Sequence, residues 1–133
     1  MKLSTAKVIG DILLAMKINR IPDKDAKSVL MKNHLVIRRV MKEVDADREE
    51  LARKFREDWA NEKEKTERSE EYKKAEEDVK AAIIALYEKD VLIELKPVPS
   101  SLLYHAELWG ENDTIGQIAN SVEFLVANGV ATE

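Results

Sequence analysis

Between Asp23 and Glu62 the chain carries a stripe at three- and four-residue steps, the spacing of one face of a helix. Ala26, Leu30, Ile37, Val40, Val44, Leu51, Phe55 and Trp59 compose it, with Asn33 as its one polar interruption, and its steps drift toward a coiled-coil heptad. Pro22 precedes it, and Asp23 and Asp25 fall in its first turn, where carboxylates suit the positive helix end. To Val44 the apolar arc is wide, taking in Val29, Val36 and Met41, with Met31 and Leu35 at its margins. Such an arc requires neighbours on more than one side. Beyond it the stripe narrows to Leu51, Phe55 and Trp59, which suits a single partner helix. Asp47 and Glu50 resemble a cap, so residues 45–47 are the weak point. The stripe nevertheless keeps its phase across them, and one continuous helix is expected.

The other elements are placed around this one. Residues 4–17 read as a first helix, capped by Ser4 or Thr5, with Val8, Ile9, Ile12, Leu13 and Met16 on its apolar face. Gly10 either lowers its propensity or permits a close helix contact. Lys17 to Pro22 reads as a connector or a small strand. Asn61 to Ser69 has no apolar residue and predicts a hairpin turn. Residues 69–89 then form a third helix, striped by Tyr72, Ala75, Val79, Ala82, Ile83 and Leu86. A short polar turn makes the two helices antiparallel, with Trp59 near Tyr72 and Leu51 near Val79. Because the third helix is about half as long as its partner, it should end midway along it. Val91 to Lys96 alternates like a strand and can run back to the base, pairing there with residues 17–21. Pro97 and Pro99 end that strand. Residues 100–109 hold a short helical turn. Thr114 and Gln117 fit a capping box for a last helix with Ile115, Ile118, Ala119, Val122, Leu125 and Val126 inward, closed by Gly129. This helix and the first should cover the wide arc of residues 26–44.

The expected fold is mainly all-α. It is a single domain over residues 1–133: base helix and link (1–22), helical hairpin (23–89), then strand, proline-containing link and C-terminal helix (90–133). A minor two-stranded β ribbon completes it. A length of 133 residues agrees with one domain, and four glycines and three prolines beside 36% charged residues agree with helix. With no cysteine, disulfides and thiolate metal sites are excluded and an intracellular setting is favoured. No apolar run is long enough to span a bilayer, and Asp11 interrupts the first apolar run, so neither membrane association nor a signal peptide is expected. The location expected is cytoplasmic or virion-associated. The net charge of −4 conceals an asymmetry: residues 1–44 hold ten Lys/Arg against four Asp/Glu, and the remainder is acidic. That split suggests an oriented partner or head-to-tail self-association, or else chance clustering on a solvated surface.

Chemistry-bearing motifs are few. His34 lies among Lys27, Arg38 and Lys42 at helical steps and reads as a surface histidine. His105-Ala106-Glu107 begins like a zinc deaminase motif, but the cysteines that motif requires are missing. There is no His-Glu-x-x-His, phosphate loop, nucleophile elbow or dinucleotide fingerprint. The abundant carboxylates alternate with lysines at i,i+4 spacing, a pattern that supports helix rather than catalysis. No enzyme activity, catalytic residue, metal or cofactor is expected. Asn33 either fixes register or oligomer state, or hydrogen-bonds a chain end in a structural role. Two partner surfaces stand out. Phe55, Trp59 and Tyr72 are candidate anchors for a protein partner, since aromatic residues are enriched in interface cores. Lys24, Lys27, Arg38, Arg39 and Lys42, with Lys17 and Arg20 nearby, form a basic stripe able to meet an acidic protein, a second copy or nucleic acid. The function expected is a protein-interaction module that can self-associate; the alternative is a nucleic-acid-associated protein.

The order of elements resembles a family of small helical-hairpin proteins encoded by bacteriophages and prophages. The corresponding pieces are the amphipathic Met1–Met16, the link Lys17–Pro22, the charged hairpin to Lys89, and Val91-Leu92-Ile93-Glu94-Leu95-Lys96 followed by Pro97 and Pro99. The resemblance covers residues 1–105 and brings no catalytic residues. It implies an accessory or assembly protein of a mobile element.

Overall fold

A computed structural model of the chain describes residues 1–61 and 69–133. Its longest element is α2 (Lys24–Asp58), an unbroken helix of 35 residues that runs through Asp45–Asp47 without interruption. Asp23 is its N-cap, where the carboxylate accepts from the Ala26 amide at 3.0 Å. The partner helix α3 (Glu70–Tyr87) has 18 residues and is capped by the Ser69 hydroxyl, which accepts from the Tyr72 amide. The connecting turn expected at 61–69 lies, beyond its ends, outside the described residues. At 1.5 Å per residue α2 is about 52 Å long and α3 about 27 Å. The end of α3 accordingly lies beside the middle of α2, where the Tyr87 hydroxyl donates to Asp45 at 2.9 Å.

The first helix, α1 (Leu3–Ala15), begins at Lys2, which supplies no side-chain cap, so Ser4 and Thr5 sit inside the helix rather than capping it. The reason is that α1 starts against the end of α3. The Leu3 amide donates to the Lys89 carbonyl at 3.0 Å, and the Val91 amide donates to the Met1 carbonyl at 2.8 Å. A backbone carbonyl from another element thus satisfies an amide that a serine would otherwise serve. An antiparallel bridge between Lys2 and Asp90 fixes this register. Further along, α1 meets α2 closely at Gly10, where a β-carbon would stand 3.0 Å from the Ile37 Cγ2.

Residues 91–96 alternate as expected: Val91, Ile93 and Leu95 are half-buried and Leu92, Glu94 and Lys96 exposed. The expected pairing with residues 17–21 does not form. Ile18 and Ile21 are three residues apart, the spacing of one helical turn, and both are buried around a 3-10 turn at Ile18–Arg20. The backbone there bonds elsewhere, the Lys17 amide donating to the Leu108 carbonyl at 2.7 Å. The returning segment is held instead by Asn33 of α2. Its side-chain amide donates to the Lys96 carbonyl at 2.8 Å and accepts from the Lys96 amide at 3.1 Å. Asn33 is 4% exposed and plays to Lys96 the part of a neighbouring strand.

The minor sheet forms from different residues. β1 (Val98–Pro99) pairs in parallel with β2 (Ala131–Thr132), with Val98 opposite Ala131 and Pro99 opposite Thr132. Parallel pairing requires a crossover, and α4 (Ile115–Ala127) provides it. Its Thr114–Gln117 capping box is complete, and Gly129 turns the chain into β2 at φ 76°. Two 3-10 turns, Ser100–Leu103 and Ala106–Leu108, fill the region expected to hold one short turn. Because β2 ties its end to β1, α4 packs mainly on α1, β2 and the first of these turns, and does not lie along α2. The wide arc of α2 is covered by α1, β1 and the 18–20 turn. One core joins these elements, with Ile9, Leu13, Leu30, Ile37, Leu103, Val122 and Leu125 fully buried at its centre.

Replacing Asn33 by alanine strips both partners from the Lys96 backbone. We expect a loss of about 2–3 kcal/mol, read from urea denaturation. Asn33→Asp should also destabilise, because a carboxylate can accept from the Lys96 amide but cannot donate to its carbonyl.

Candidate docking surface

The aromatic residues Phe55, Trp59 and Tyr72 come together in the hairpin. Tyr72 is buried between the two others: its ring lies 5.4 Å from that of Phe55 and meets that of Trp59 edge-on at 5.7 Å. Phe55 and Trp59 are half-buried. All three are engaged within the chain, where edge-on and tilted ring pairs bind α3 to α2. Several charges on this part of the hairpin are also paired internally. Arg53 pairs with Glu50 and Glu57, Arg56 with Glu49 at 2.7 Å, and Lys80 with Glu76 at 3.4 Å. Hydrogen bonds from Arg56 and Arg53 hold the Glu49 and Glu50 carboxyls below the usual carboxylate range.

The basic stripe is arranged differently. Arg38, Arg39 and Lys42 are exposed, and among the described residues none of them forms a salt bridge. They rim a shallow groove made of three adjoining depressions, two between α1 and the first half of α2 and the third lined by α2 alone. The first, about 380 Å³, includes Leu14, Lys17, Arg20, Met31 and His34. The second, about 300 Å³, shares Leu14 and His34 and adds Lys7, Asp11, Arg38 and Met41. The third, about 470 Å³, lies against Leu35, Arg38, Arg39, Met41 and Lys42. Lys27, half-buried, sits one turn before Met31 on the same side of α2, while Lys24 opens the helix about 21 Å from Arg38 along its axis.

Apolar side chains along this groove remain uncovered: Leu14 is 72% exposed, Leu35 50% and Met31 48%. They mark the side where α1 leaves the margin of the wide arc open. Met31 and Leu35 were legible as marginal positions. Leu14 was not, since it follows Leu13 and points away from the α1 stripe; only the crossing of α1 over α2 brings it beside Met31. His34 belongs to this groove and not to a fully solvated surface. Burial, together with the Arg38 charge, pushes its imidazole below its ordinary pKa.

The fold defines a mainly α-helical protein built on a hairpin of unequal arms. No family model, curated protein or solved structure matches the chain. Among the described residues no group of three or more His, Cys, Asp or Glu is placed to hold a metal ion, and no helix is long and apolar enough to cross a membrane.

Two outcomes follow from the geometry. Tyr72→Ala should destabilise by about 3 kcal/mol, as for removal of a buried aromatic ring, whereas Trp59→Ala at a half-buried site should cost about half as much. Thermal unfolding monitored by circular dichroism distinguishes them. For His34 the folded pKa lies below the unfolded 6.5, so the fold favours the neutral ring. Its stabilising effect is complete above pH 6.5 and is lost as pH falls through the folded pKa. Denaturation midpoints compared at pH 7.5 and 5.5 should therefore fall less in His34→Gln than in the parent.

Proposed function

We propose that the chain is a non-enzymatic interaction module, an accessory or assembly protein of the phage or prophage type, working in the cytoplasm or on a virion. Its docking surface is the α1–α2 groove, which takes an acidic protein segment with apolar residues on one side. The observation that carries this reading is the combination of uncovered Leu14, Met31 and Leu35 with the rim of Arg38, Arg39 and Lys42. Apolar side chains left at a groove supply affinity, and the surrounding cations select the sign of the partner. The order of helix, link, charged hairpin and proline-ended extended segment supports the phage assignment. The paired aromatic rings serve this function indirectly, by keeping α2 straight and rigid beyond the groove.

Nucleic acid is the second reading, favoured by Arg38, Arg39 and Lys42, which form no salt bridge among the described residues. Binding of a helical peptide with leucines on one side and glutamates on its flanks, and of a DNA duplex, separates the two. Amide chemical shifts of residues 14, 31, 35 and 38 should move with the peptide, and Leu35→Gln should weaken binding about tenfold, the scale of one buried leucine. If neither probe moves these residues, the proposed function is wrong. If the duplex binds with a steep salt dependence that Leu35→Gln leaves intact and Arg38→Gln with Lys42→Gln removes, the nucleic-acid reading replaces it.

A further inference from the structure

We infer that the groove's occupant is the outer face of α3 from a second copy of this chain. This rests on the reading of the α1–α2 groove as a docking surface. The outward side of α3 carries its own uncovered apolar centre: Ile84, 63% exposed, lies between the exposed small residues Ala81 and Ala85. Small neighbours let a facing helix approach closely while Ile84 projects as the knob. Two turns toward the start of α3, Glu77 and Asp78 are exposed, and among the described residues neither forms a salt bridge.

The spacing matches that of the groove. From Ile84 back to Glu77 is seven residues, about 10 Å along the helix. From the centre of the Met31–Leu35 pair to the centre of the Arg38–Lys42 cluster is again about seven residues, or 10 Å. Placing Ile84 over Leu14, Met31 and Leu35 therefore brings Glu77 and Asp78 over Arg38, Arg39 and Lys42, provided the two helices run antiparallel. Antiparallel contact is also the favourable alignment of helix dipoles. One turn further, Lys74 of the visiting helix faces Asp45 at the end of the groove, so the alternation of sign continues. The parallel orientation would instead place Glu77 and Asp78 near the start of α2 and leave the cations opposite the Glu88 end of α3, where Glu88 is already held by Lys2 at 2.8 Å.

Groove and knob are different surfaces of one molecule, so the contact is heterologous: each copy offers one of each, and association proceeds head to tail. The test uses two full-length variants altered at exposed positions, each checked for an unchanged circular dichroism melt. Leu35→Glu spoils the groove and leaves the knob; Ile84→Lys spoils the knob and leaves the groove. Sedimentation equilibrium at low salt should give a mass above 15.2 kDa for the parent chain, falling toward that value as salt rises. Each variant alone should remain at 15.2 kDa, while their equimolar mixture should form a 1:1 dimer through the one intact groove and one intact knob. Reversal of charge supplies a second arm. Arg38→Glu with Lys42→Glu should abolish self-association of that variant, and adding Glu77→Lys with Asp78→Lys to the same chain should restore it. A parent chain that stays monomeric at low salt, or a mixture that fails to dimerise while the parent associates, overturns the inference. A monomeric parent whose groove still takes the leucine–glutamate peptide retains the proposed function and loses only the self-docking; a groove that takes neither loses both.

Discussion

The two hydrogen bonds between the Asn33 side chain and the Lys96 backbone hold the fold's asymmetry together. Because α3 is only about half as long as α2, the chain leaves the hairpin at its midpoint and must travel back to the base as an extended segment. An extended backbone beside a helix has no ladder partner, and a buried amide or carbonyl left unpaired costs free energy comparable to a lost hydrogen bond. One asparagine, set in an otherwise apolar stripe, supplies donor and acceptor together. With Lys96 fixed there, Val98 reaches the carbonyl of Val130, and the parallel β1–β2 pair closes the base around α4. A polar residue in the core stripe is thus the hinge between hairpin and base.

The two ends of α2 differ in how their charges are used. On the distal half, arginines and glutamates three and four residues apart satisfy one another, and aromatic rings close the helix pair. On the proximal half, α1 covers the centre of the apolar arc through the close Gly10–Ile37 approach but not its edge. The edge therefore presents Met31 and Leu35 beside Arg38, Arg39 and Lys42, which form no salt bridge among the described residues, with the His34 imidazole pushed below its ordinary pKa among them. A helix pair that crosses tightly at a glycine necessarily leaves grooves beside the crossing, and here that groove coincides with the basic third of the chain.

The helices were legible because each carries a long periodic signal with physical punctuation. The stripe of α2 kept its phase across Asp45–Asp47, and the Thr114–Gln117 box and Gly129 marked both ends of α4 correctly. The aromatic contact of Trp59 with Tyr72 followed from a short turn and antiparallel arms. Short elements were less legible. Ile18 and Ile21 looked like part of an alternation when their three-residue spacing belonged to a turn, and a two-residue strand such as Ala131–Thr132 carries no period at all. Ser4 and Thr5 were plausible caps on local grounds, yet the carbonyl of Lys89 displaced them. The basic rim of the candidate site was visible as charge spacing, whereas its apolar floor was not, since Leu14 joins Met31 only where two helices cross.

By itself the sequence determined the helices, the hairpin and its unequal arms, because periodicity and capping act within one element and length follows from residue count. Tertiary structure alone decided where the returning segment is tied, which strands pair, and which apolar side chains are left at the surface. Those outcomes depend on contacts between residues tens of positions apart, such as Asn33 with Lys96 and Val98 with Ala131, and no local pattern encodes which distant partner will satisfy a given backbone group.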